Sequence, residues 1–379
     1  MLPLSTVATL VAFFVDHWGL SNAEAGWLAG SINVGYMLAV PFLMALTDRI
    51  DARLVFIAGA ALSAVAALAF ALLAEGLWSG TLWRILAGMG LAGCYMPGLK
   101  ALTDRLTGAE PSRGVASYTA SYAVGAGFSY LFAGLVTDWL GWRGMFAASA
   151  IGPLLPLVIG LLVLRPKPPA PSQGGLASLL DFRPVLRNRP AMGYVLAYGA
   201  HCYELAAFRA WIVAFMGFAL AGREAGGMAS ITLLVTVLAL LGLPASVFGN
   251  EASIRFGRRR VINLVMSASA LIGCFVGFTA GAHVALVLAL AILYAISVTA
   301  DSGSITAGVV AAADPKLRGA TMALHSTLGF AVSFVSPLVF GLVLDLSGGQ
   351  GDTRAWALAF AANALFALGG PLALRWAAR

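Results

Sequence analysis

Apolar stretches of about 20 residues recur along the whole chain, and short loops that hold most of the charge separate them. An α-helix needs a stretch of that length to cross the hydrocarbon core of a bilayer. Hydrophobic residues make up 60% of the 379 residues and charged residues only 10%, too few to keep a protein of this size in solution. The sequence therefore predicts an all-α integral membrane protein.

The apolar stretches predict twelve transmembrane helices, of which the first is short. This first stretch has no basic n-region and no Ala-x-Ala site, which argues against a cleaved signal peptide. Either a start further upstream or a tilted helix accounts for its length. The predicted spans are 1–16, 22–46, 54–74, 78–99, 114–137, 142–164, 191–219, 227–249, 261–281, 284–309, 320–344 and 354–375.

The segment 165–190 is rich in proline and glycine and then basic, which predicts a linker with an interfacial helix at 176–187. It separates an N-terminal six-helix half, 1–164, from a C-terminal half, 191–379. The two halves share anchors at nearly one spacing, which predicts two pseudo-symmetric bundles. Those anchors are Arg113 and Arg318, 205 residues apart, Arg49 and Arg255, 206 apart, and Asp138 and Asp345, 207 apart.

The basic residues predict the orientation of the chain in the membrane. With the N-terminus inside, 18 of the 23 Lys and Arg residues fall on the cytoplasmic side, three fall outside, and Arg84 and Arg209 lie within spans. This asymmetry follows the positive-inside rule and predicts that both termini are cytoplasmic. The net charge of +7 is thereby explained without a nucleic-acid partner.

Three ionisable residues interrupt predicted span 7, namely His201, Glu204 and Arg209. At about 100° per residue they project into one sector of about 140°. A charge facing lipid near the bilayer centre costs roughly 2.5–3.5 kcal/mol on insertion scales, so this sector is expected to face the bundle or a wet cavity. Glu204 and Arg209 are not at the spacing of a good local pair, so each needs a partner on another helix or a substrate.

Three further ionisable residues fall within predicted spans: Arg84 in span 4, Asp301 in span 10 and His325 in span 11. Asp301 and His325 lie at similar depth, so the two are expected to meet. A buried structural network between the halves, or a satisfied core histidine at position 325, explains the same residues without transport. Tyr36, Tyr118, Tyr122, Tyr203 and Trp211 either line a site or serve in packing.

The sequence indicates no cofactor, no metal site and no catalytic constellation. Cys94, Cys202 and Cys274 lie in predicted spans without ligand spacing. A primary pump would need a nucleotide-binding loop of the Gly-x-x-x-x-Gly-Lys-Ser/Thr type, which the sequence lacks. His201 and Glu204 have neither a metal-spaced histidine nor a nucleophile motif beside them, which argues against a membrane enzyme.

Two loop segments and span 4 resemble the major facilitator superfamily. "MALTDRIDAR" keeps Asp48, Arg49 and Arg53 of the family's loop 2–3 signature but replaces both glycines, at Met44 and Asp51. "GNEASIRFGRRR" keeps Arg255 and Gly257 but has Ile254 in place of the acid, and "RILAGMGLAG" matches the span 4 pattern of an arginine followed by glycines. Span 5, in contrast, lacks the proline of the antiporter pattern.

The resemblance implies roles for these residues. Charges of the two loops would form a gating latch between the halves, whereas plain membrane anchoring is the simpler explanation for a basic run. Spans 1, 4, 7 and 10 would line the central path, and Arg84 would face the cavity, where it serves proton coupling or anion binding; snorkelling to headgroups is the alternative. The residues implied for the latch are Asp48, Arg49, Arg53, Arg255 and Gly257.

We therefore expect a monomeric, proton-coupled secondary transporter of the inner membrane that works by alternating access on a small solute. A small organic or inorganic anion is the first candidate, held by Arg84 and Arg209, with Glu204 and Asp301 as proton carriers and His201 as relay. Two alternatives stay open: efflux of hydrophobic or cationic compounds, and a transporter-like sensor. The expected partners are the solute, protons and membrane lipid.

Overall fold

A computed structural model of the chain describes residues 1–106, 110–169, 182–222 and 227–379. It contains long helices and, within those ranges, no strand. The helices are α1 (Thr6–Thr9), α2 (Val11–Trp18), α3 (Asn22–Leu46), α4 (Ala52–Leu73), α5 (Leu77–Thr103), α6 (Glu110–Ser149), α7 (Ile151–Leu162), α8 (Arg183–Leu186), α9 (Arg189–Ala219), α10 (Met228–Phe256), α11 (Arg258–Val276), α12 (Val284–Ala300), α13 (Ser302–Ala312), α14 (Arg318–Ser347), α15 (Thr353–Ala367) and α16 (Gly369–Trp376).

Ten helical segments of the described ranges are long and apolar enough to cross a membrane. One of them, Ser121–Leu162, contains two predicted spans, because the chain turns at Gly141, where φ is 66°. The first predicted span forms the two short helices α1 and α2, which fall below the length for a crossing. The ten segments are therefore compatible with the predicted twelve helices. Of the predicted interfacial helix at 176–187, residues 176–181 lie outside the described residues, and the described remainder contains the short helix α8.

Two predicted spans are interrupted in the structure. Predicted span 10 is divided at Asp301, the residue between α12 and α13. Predicted span 12 is divided at Leu368, between α15 and α16. The break at Asp301 places a buried acidic side chain at a helix end inside the bundle.

The helix ends divide into two faces. Arg49, Arg53, Arg105, Arg255 and Lys316 all lie at what we call the basic end, which the sequence predicts to be cytoplasmic. We call the face on the other side of the bundle the opposite end. There two aromatic clusters fill the bundle, one formed by Phe14, Trp18, Phe70, Trp142 and Phe146, the other by Trp211, Phe215, Phe340, Trp356 and Phe360.

Helices α3 and α14 join the N-terminal helices (α1–α7) to the C-terminal helices (α8–α16). A Cβ at Gly26 would clash with the Pro337 carbonyl, so only glycine allows this approach. The contacts run from the opposite end to the stacked rings of Tyr36 and Phe330, 3.9 Å apart.

Beyond Tyr36 the side chains of α3 become exposed, Leu38 by 50% and Phe42 by 59%. Among the described residues, the hydrogen bonds and ring contacts between the two sets of helices lie between mid-bundle and the opposite end. The bundle is therefore closed at the opposite end.

Candidate functional site

His201 and Asp301 form a buried pair between α9 and the break in predicted span 10. Their atoms Nδ1 and Oδ1 lie 2.8 Å apart, and the two residues are 2% and 3% exposed. Neither atom has an aligned hydrogen bond with any described residue. The contact is an ion pair only when the imidazole carries a proton, and a buried ion pair needs both partners because either charge alone is costly inside the bundle.

His325 joins this pair through an intervening tyrosine. The ring of Tyr198 stacks on His325 at 3.7 Å and on His201 at 5.9 Å between centroids. His325 is buried, and its Nδ1 has no hydrogen-bond partner among the described residues. The expected meeting of Asp301 with His325 is thus replaced by an Asp301–His201 contact, with Tyr198 between the two histidines.

Glu204 points into the C-terminal helices rather than toward the N-terminal ones. Its Oε1 accepts a hydrogen bond of 2.9 Å from the Ser269 hydroxyl on α11. Asn363 on α15 donates to the Glu204 carbonyl at 3.2 Å and to the Tyr294 hydroxyl at 3.3 Å. The carboxyl is 2% exposed, and no cation of the described residues pairs with it. Its surroundings are those of a packed polar group.

Arg209 faces the N-terminal helices. Its carbonyl accepts a hydrogen bond of 2.7 Å from the Tyr130 hydroxyl on α6, and its side chain is partly exposed. Within the described part of the chain, no carboxylate lies within 4.0 Å of it. Arg209 is therefore a partly exposed cation without an acidic partner among the described residues.

The three charged residues of predicted span 7 share a sector of α9 but meet different neighbours. Glu204 contacts α11 and α15, His201 contacts the break at Asp301, and Arg209 lies beside α6. The helical period fixed their relative directions, but the position of the neighbouring helices decided which groups meet.

Arg84 is hydrogen-bonded to backbone carbonyls of the N-terminal segment. Its guanidinium donates to the carbonyls of Pro3 at 2.8 Å and Leu4 at 3.2 Å, and the residue is 3% exposed. These carbonyls precede α1 and have no helical partner of their own. The side chain thus fastens the short first helices to α5, and its charge is directed at the chain rather than at a cavity.

Asp51 accepts hydrogen bonds from several segments of the basic end. The sequence analysis did not assign it this role, because Asp51 stands where the resembled motif has a glycine. Both carboxylate oxygens accept from Arg105 at 2.9 Å, and the backbone N–H groups of Arg53 and Lys167 donate to it as well. Burial raises the pKa of Asp51, but these hydrogen bonds outweigh burial and hold the pKa below its ordinary value. The Asx cap of α4 was the signal available in the sequence.

The residues expected to form a latch do not meet one another in the structure. Arg53 donates to the carbonyls of Gly160 and Leu161 at the end of α7. Arg255 pairs with Glu251 on its own helix, and Gly257 has a φ of 93° where α10 ends. Asp48 is partly buried and Arg49 exposed, and neither has an ion pair with any described residue.

Other predicted residues serve in packing. Trp211 donates to the Pro337 carbonyl at 3.0 Å, and Tyr203 stacks on Phe366 at 3.8 Å. Within the described ranges, Cys94, Cys202 and Cys274 are free, and no group of three His, Cys, Asp or Glu residues is placed to hold a metal.

Comparisons with known proteins agree with this architecture. The chain is 24% identical over 213 residues to a probable sphingolipid transporter, spinster homolog 2 of Arabidopsis thaliana, covering 51% of this chain and 44% of that one. It is 27% identical over 163 residues to a gentisate transporter of Corynebacterium glutamicum, covering 42% and 35%. The matches thus span less than half the length of these curated relatives.

Solved structures share the fold. A bacterial homolog of the human lysosomal transporter Spinster, inward-facing and unoccupied, superposes with a TM-score of 0.77 at 15% identity over 100% of this chain and 92% of that one. A D-xylose-proton symporter gives 0.73 at 16% identity over 97% and 92%. The family model of the Major Facilitator Superfamily matches residues 1–222. The chain therefore belongs to the Major Facilitator Superfamily, a family of multi-pass membrane transporters rather than enzymes.

Proposed function

We propose that this protein is a proton-coupled secondary transporter of a small organic anion. It acts in the inner membrane with both termini cytoplasmic and works by alternating access between the halves 1–164 and 191–379, joined by the linker 165–190. The observation that carries the proposal is the buried contact of His201 with Asp301, on the same helix as Arg209, which has no acidic partner among the described residues.

The proposed coupling follows from charge balance. In this proposal the Asp301 carboxylate, beside a neutral His201, offsets the charge of Arg209 in the empty protein. When the bound anion neutralises Arg209, a proton taken up by the His201–Asp301 pair offsets the charge of Asp301. The anion alone or the proton alone would leave an uncompensated charge that is costly to move through the bundle, so the two cross together.

The other candidate residues take different positions in this proposal. Glu204 is a structural group of the C-terminal helices, because its carboxyl contacts Ser269 rather than the N-terminal helices. Arg84 anchors the first helices through Pro3 and Leu4. His325 tunes the central pair through the ring of Tyr198.

The names of the relatives point to two classes of transported solute. The gentisate transporter supports an organic acid, whereas the spinster homologs support a hydrophobic compound as the second candidate. A likeness to a D-xylose-proton symporter agrees with proton coupling.

Uptake into proteoliposomes tests the proposal. The purified full chain is given radiolabelled gentisate, acetate or sphingosine, with and without an inward proton gradient and a protonophore. We expect accumulation of an acid that the gradient drives and the protonophore abolishes. Transport of sphingosine but not of the acids would instead favour the second candidate. Acid uptake that does not depend on the proton gradient would reject proton coupling.

A further inference from the structure

Helices α9, α11 and α16 end side by side at the basic end of the C-terminal helices. A Cβ on Gly370 of α16 would meet both the Met266 side chain of α11 and the Ala197 backbone of α9, so the three helices contact one another at this level. About 12 Å nearer the basic end, α9 begins at Arg189, α11 begins at Arg258 and α16 has just ended. The three helix ends therefore lie at one level.

A contact between Arg189 and Trp376 joins two of these ends. The guanidinium carbon of Arg189 lies 5.1 Å from the centre of the Trp376 ring, within the range of a cation–π interaction. One turn further into the membrane, Gly193 of α9 lies against Ala377 of α16, where a Cβ would clash with the Ala377 methyl group. The start of α9 is thus packed on the end of α16, with the Arg189 charge on the face of the ring.

The charges around this contact are positive and lack acidic partners. Four arginines at these helix ends form what we call the arginine patch: Arg187, Arg189, Arg258 and Arg375. Among the described residues, no carboxylate lies within 4.0 Å of any of the four. The Nε atom of Arg258 is enclosed by protein and has no hydrogen-bond partner in the described part of the chain.

The described acids at this end of the C-terminal helices have other partners. Glu251 pairs with Arg255 at 3.1 Å. Asp314 accepts a hydrogen bond of 2.9 Å from the backbone N–H of Lys316. The arginine patch therefore carries a surplus of positive charge that an anion from outside the chain can balance.

An exposed apolar face of α15 and α16 leads along the membrane to this patch. Leu365, Leu368 and Leu372 are exposed and recur every three or four residues, so they lie on one side of these helices. Trp376 continues this side one turn past Leu372 and is itself partly open to the surroundings. Tryptophan is enriched where a membrane helix meets the lipid headgroups. The Arg189 charge on its ring therefore lies at headgroup depth.

An acidic phospholipid matches both parts of this surface. Guanidinium groups bind phosphate oxygens through paired hydrogen bonds, and an acyl chain fits the apolar face. A soluble anion has no chain for that face. A zwitterionic lipid has the chain and the phosphate, but its amine is repelled by the arginines.

We propose that the arginine patch binds the headgroup of an anionic phospholipid. Arg189, Arg258 and Arg375 hold the phosphate, and an acyl chain lies along Leu372. The bound lipid joins the starts of α9 and α11 to the end of α16, so it stabilises the C-terminal helices. The site is at the membrane surface, away from His201 and Asp301, and does not depend on the proposed transport function.

Three ligands that differ in charge and chain test the assignment. Phosphatidylglycerol, phosphatidylcholine with the same acyl chains, and inorganic phosphate are titrated into the detergent-purified full chain. Native mass spectrometry measures lipid binding, and the unfolding temperature reports stabilisation. We expect phosphatidylglycerol to bind at least about tenfold more tightly than phosphatidylcholine, because each arginine near the headgroup favours the anionic lipid. Equal affinity for the two lipids, or equal stabilisation by inorganic phosphate, would overturn the proposal.

Matched variants separate this site from the general basic surface. Arg189→Gln is expected to weaken phosphatidylglycerol binding about fivefold and to leave phosphatidylcholine binding unchanged. Arg49→Gln removes an exposed arginine at the basic end of the N-terminal helices and is expected to change neither. Equal weakening by the two variants would show attraction to the whole basic end and would contradict a site at Arg189.

Two variants of α16 test the patch without altering the start of α9. Arg375→Gln removes an exposed charge and is expected to weaken phosphatidylglycerol binding about fivefold as well. Trp376→Leu keeps an apolar side chain but removes the ring under Arg189, and a two- to threefold loss of about the size of a cation–π interaction is expected. Unchanged affinity in Arg375→Gln would contradict the proposal even if Arg189→Gln did not fold.

Discussion

The carboxylate of Asp345 at the end of α14 holds the first residues of α3. It accepts hydrogen bonds from the Asn22 backbone at 2.9 Å, the Asn22 side chain at 2.7 Å and the Ala23 backbone at 2.8 Å. Gln350 donates to the Asn22 side chain from the following loop. A negative charge at the start of a helix satisfies free N–H groups and the helix dipole, and this one joins the two sets of helices at the opposite end.

Asp345→Asn is predicted to shift the protein toward a form that is open at the opposite end. The amide keeps the shape but loses the charge at the helix terminus, worth about 1 kcal/mol, or about fivefold in the equilibrium between the two forms. Spin-label distances between α3 and α14 measure the shift. Asp138→Asn, its exposed counterpart in the repeat, serves as the control and is expected to change nothing; equal distributions in all three proteins would contradict the prediction.

Asp51→Asn is predicted to lower the stability of the basic end by about 1–3 kcal/mol at neutral pH. The carboxylate accepts from Arg105, Arg53 and Lys167, and it holds a pKa below its ordinary value. Its contribution is therefore complete above about pH 4 and is lost as the pH falls through the lowered pKa.

Thermal unfolding of the two proteins across pH checks this prediction. The difference in unfolding temperature is expected to be largest at neutral pH and to shrink below about pH 4. Asp104→Asn removes a more exposed carboxylate paired with Lys100 and should cost less than about 1 kcal/mol. A difference between Asp51→Asn and the parent that grows on acidification would rule out the assigned role.

Glu204→Gln is predicted to leave gradient-driven uptake intact. The side chain contacts Ser269 inside the C-terminal helices, and an amide of the same shape can keep that hydrogen bond without an ionisable group. Uptake assays with the variant measure this directly. Loss of accumulation with retained exchange would make Glu204 a proton carrier, as the sequence alone suggested.

Arg84→Lys is predicted to loosen the first two helices. An ammonium has no planar fork with which to reach the Pro3 and Leu4 carbonyls together, so about 1–2 kcal/mol of local stability is lost. Hydrogen exchange of residues 1–18 reports this change. Exchange equal to that of the parent protein would show that the carbonyls find other donors.

The membrane spans were predictable because hydropathy is a local property, and the rotation of residues around α9 follows from the helical period alone. The turn at Gly141 lies where the sequence predicts the loop between spans 5 and 6, whereas the break at Asp301 was not predicted, since it depends on how the neighbouring helices pack. The sequence analysis expected Asp301 to meet His325, but in the structure Asp301 contacts His201 and His325 stacks on Tyr198. Counting residues along the spans gives the depth of each side chain in the membrane, but it does not show which side chains at that depth are neighbours.

The residues expected to form a latch do not meet in the structure, since the Arg53 guanidinium donates to the carbonyls of Gly160 and Leu161 and Arg255 pairs with Glu251.

The most direct measurement compares exchange with accumulation in Asp301→Asn proteoliposomes, using whichever acid the unchanged protein accumulates. The account predicts that exchange across equal pH persists, because Arg209 still binds the anion, while accumulation driven by the proton gradient is lost. Accumulation by Asp301→Asn equal to that of the unchanged protein would contradict the claim that His201 and Asp301 couple transport to protons.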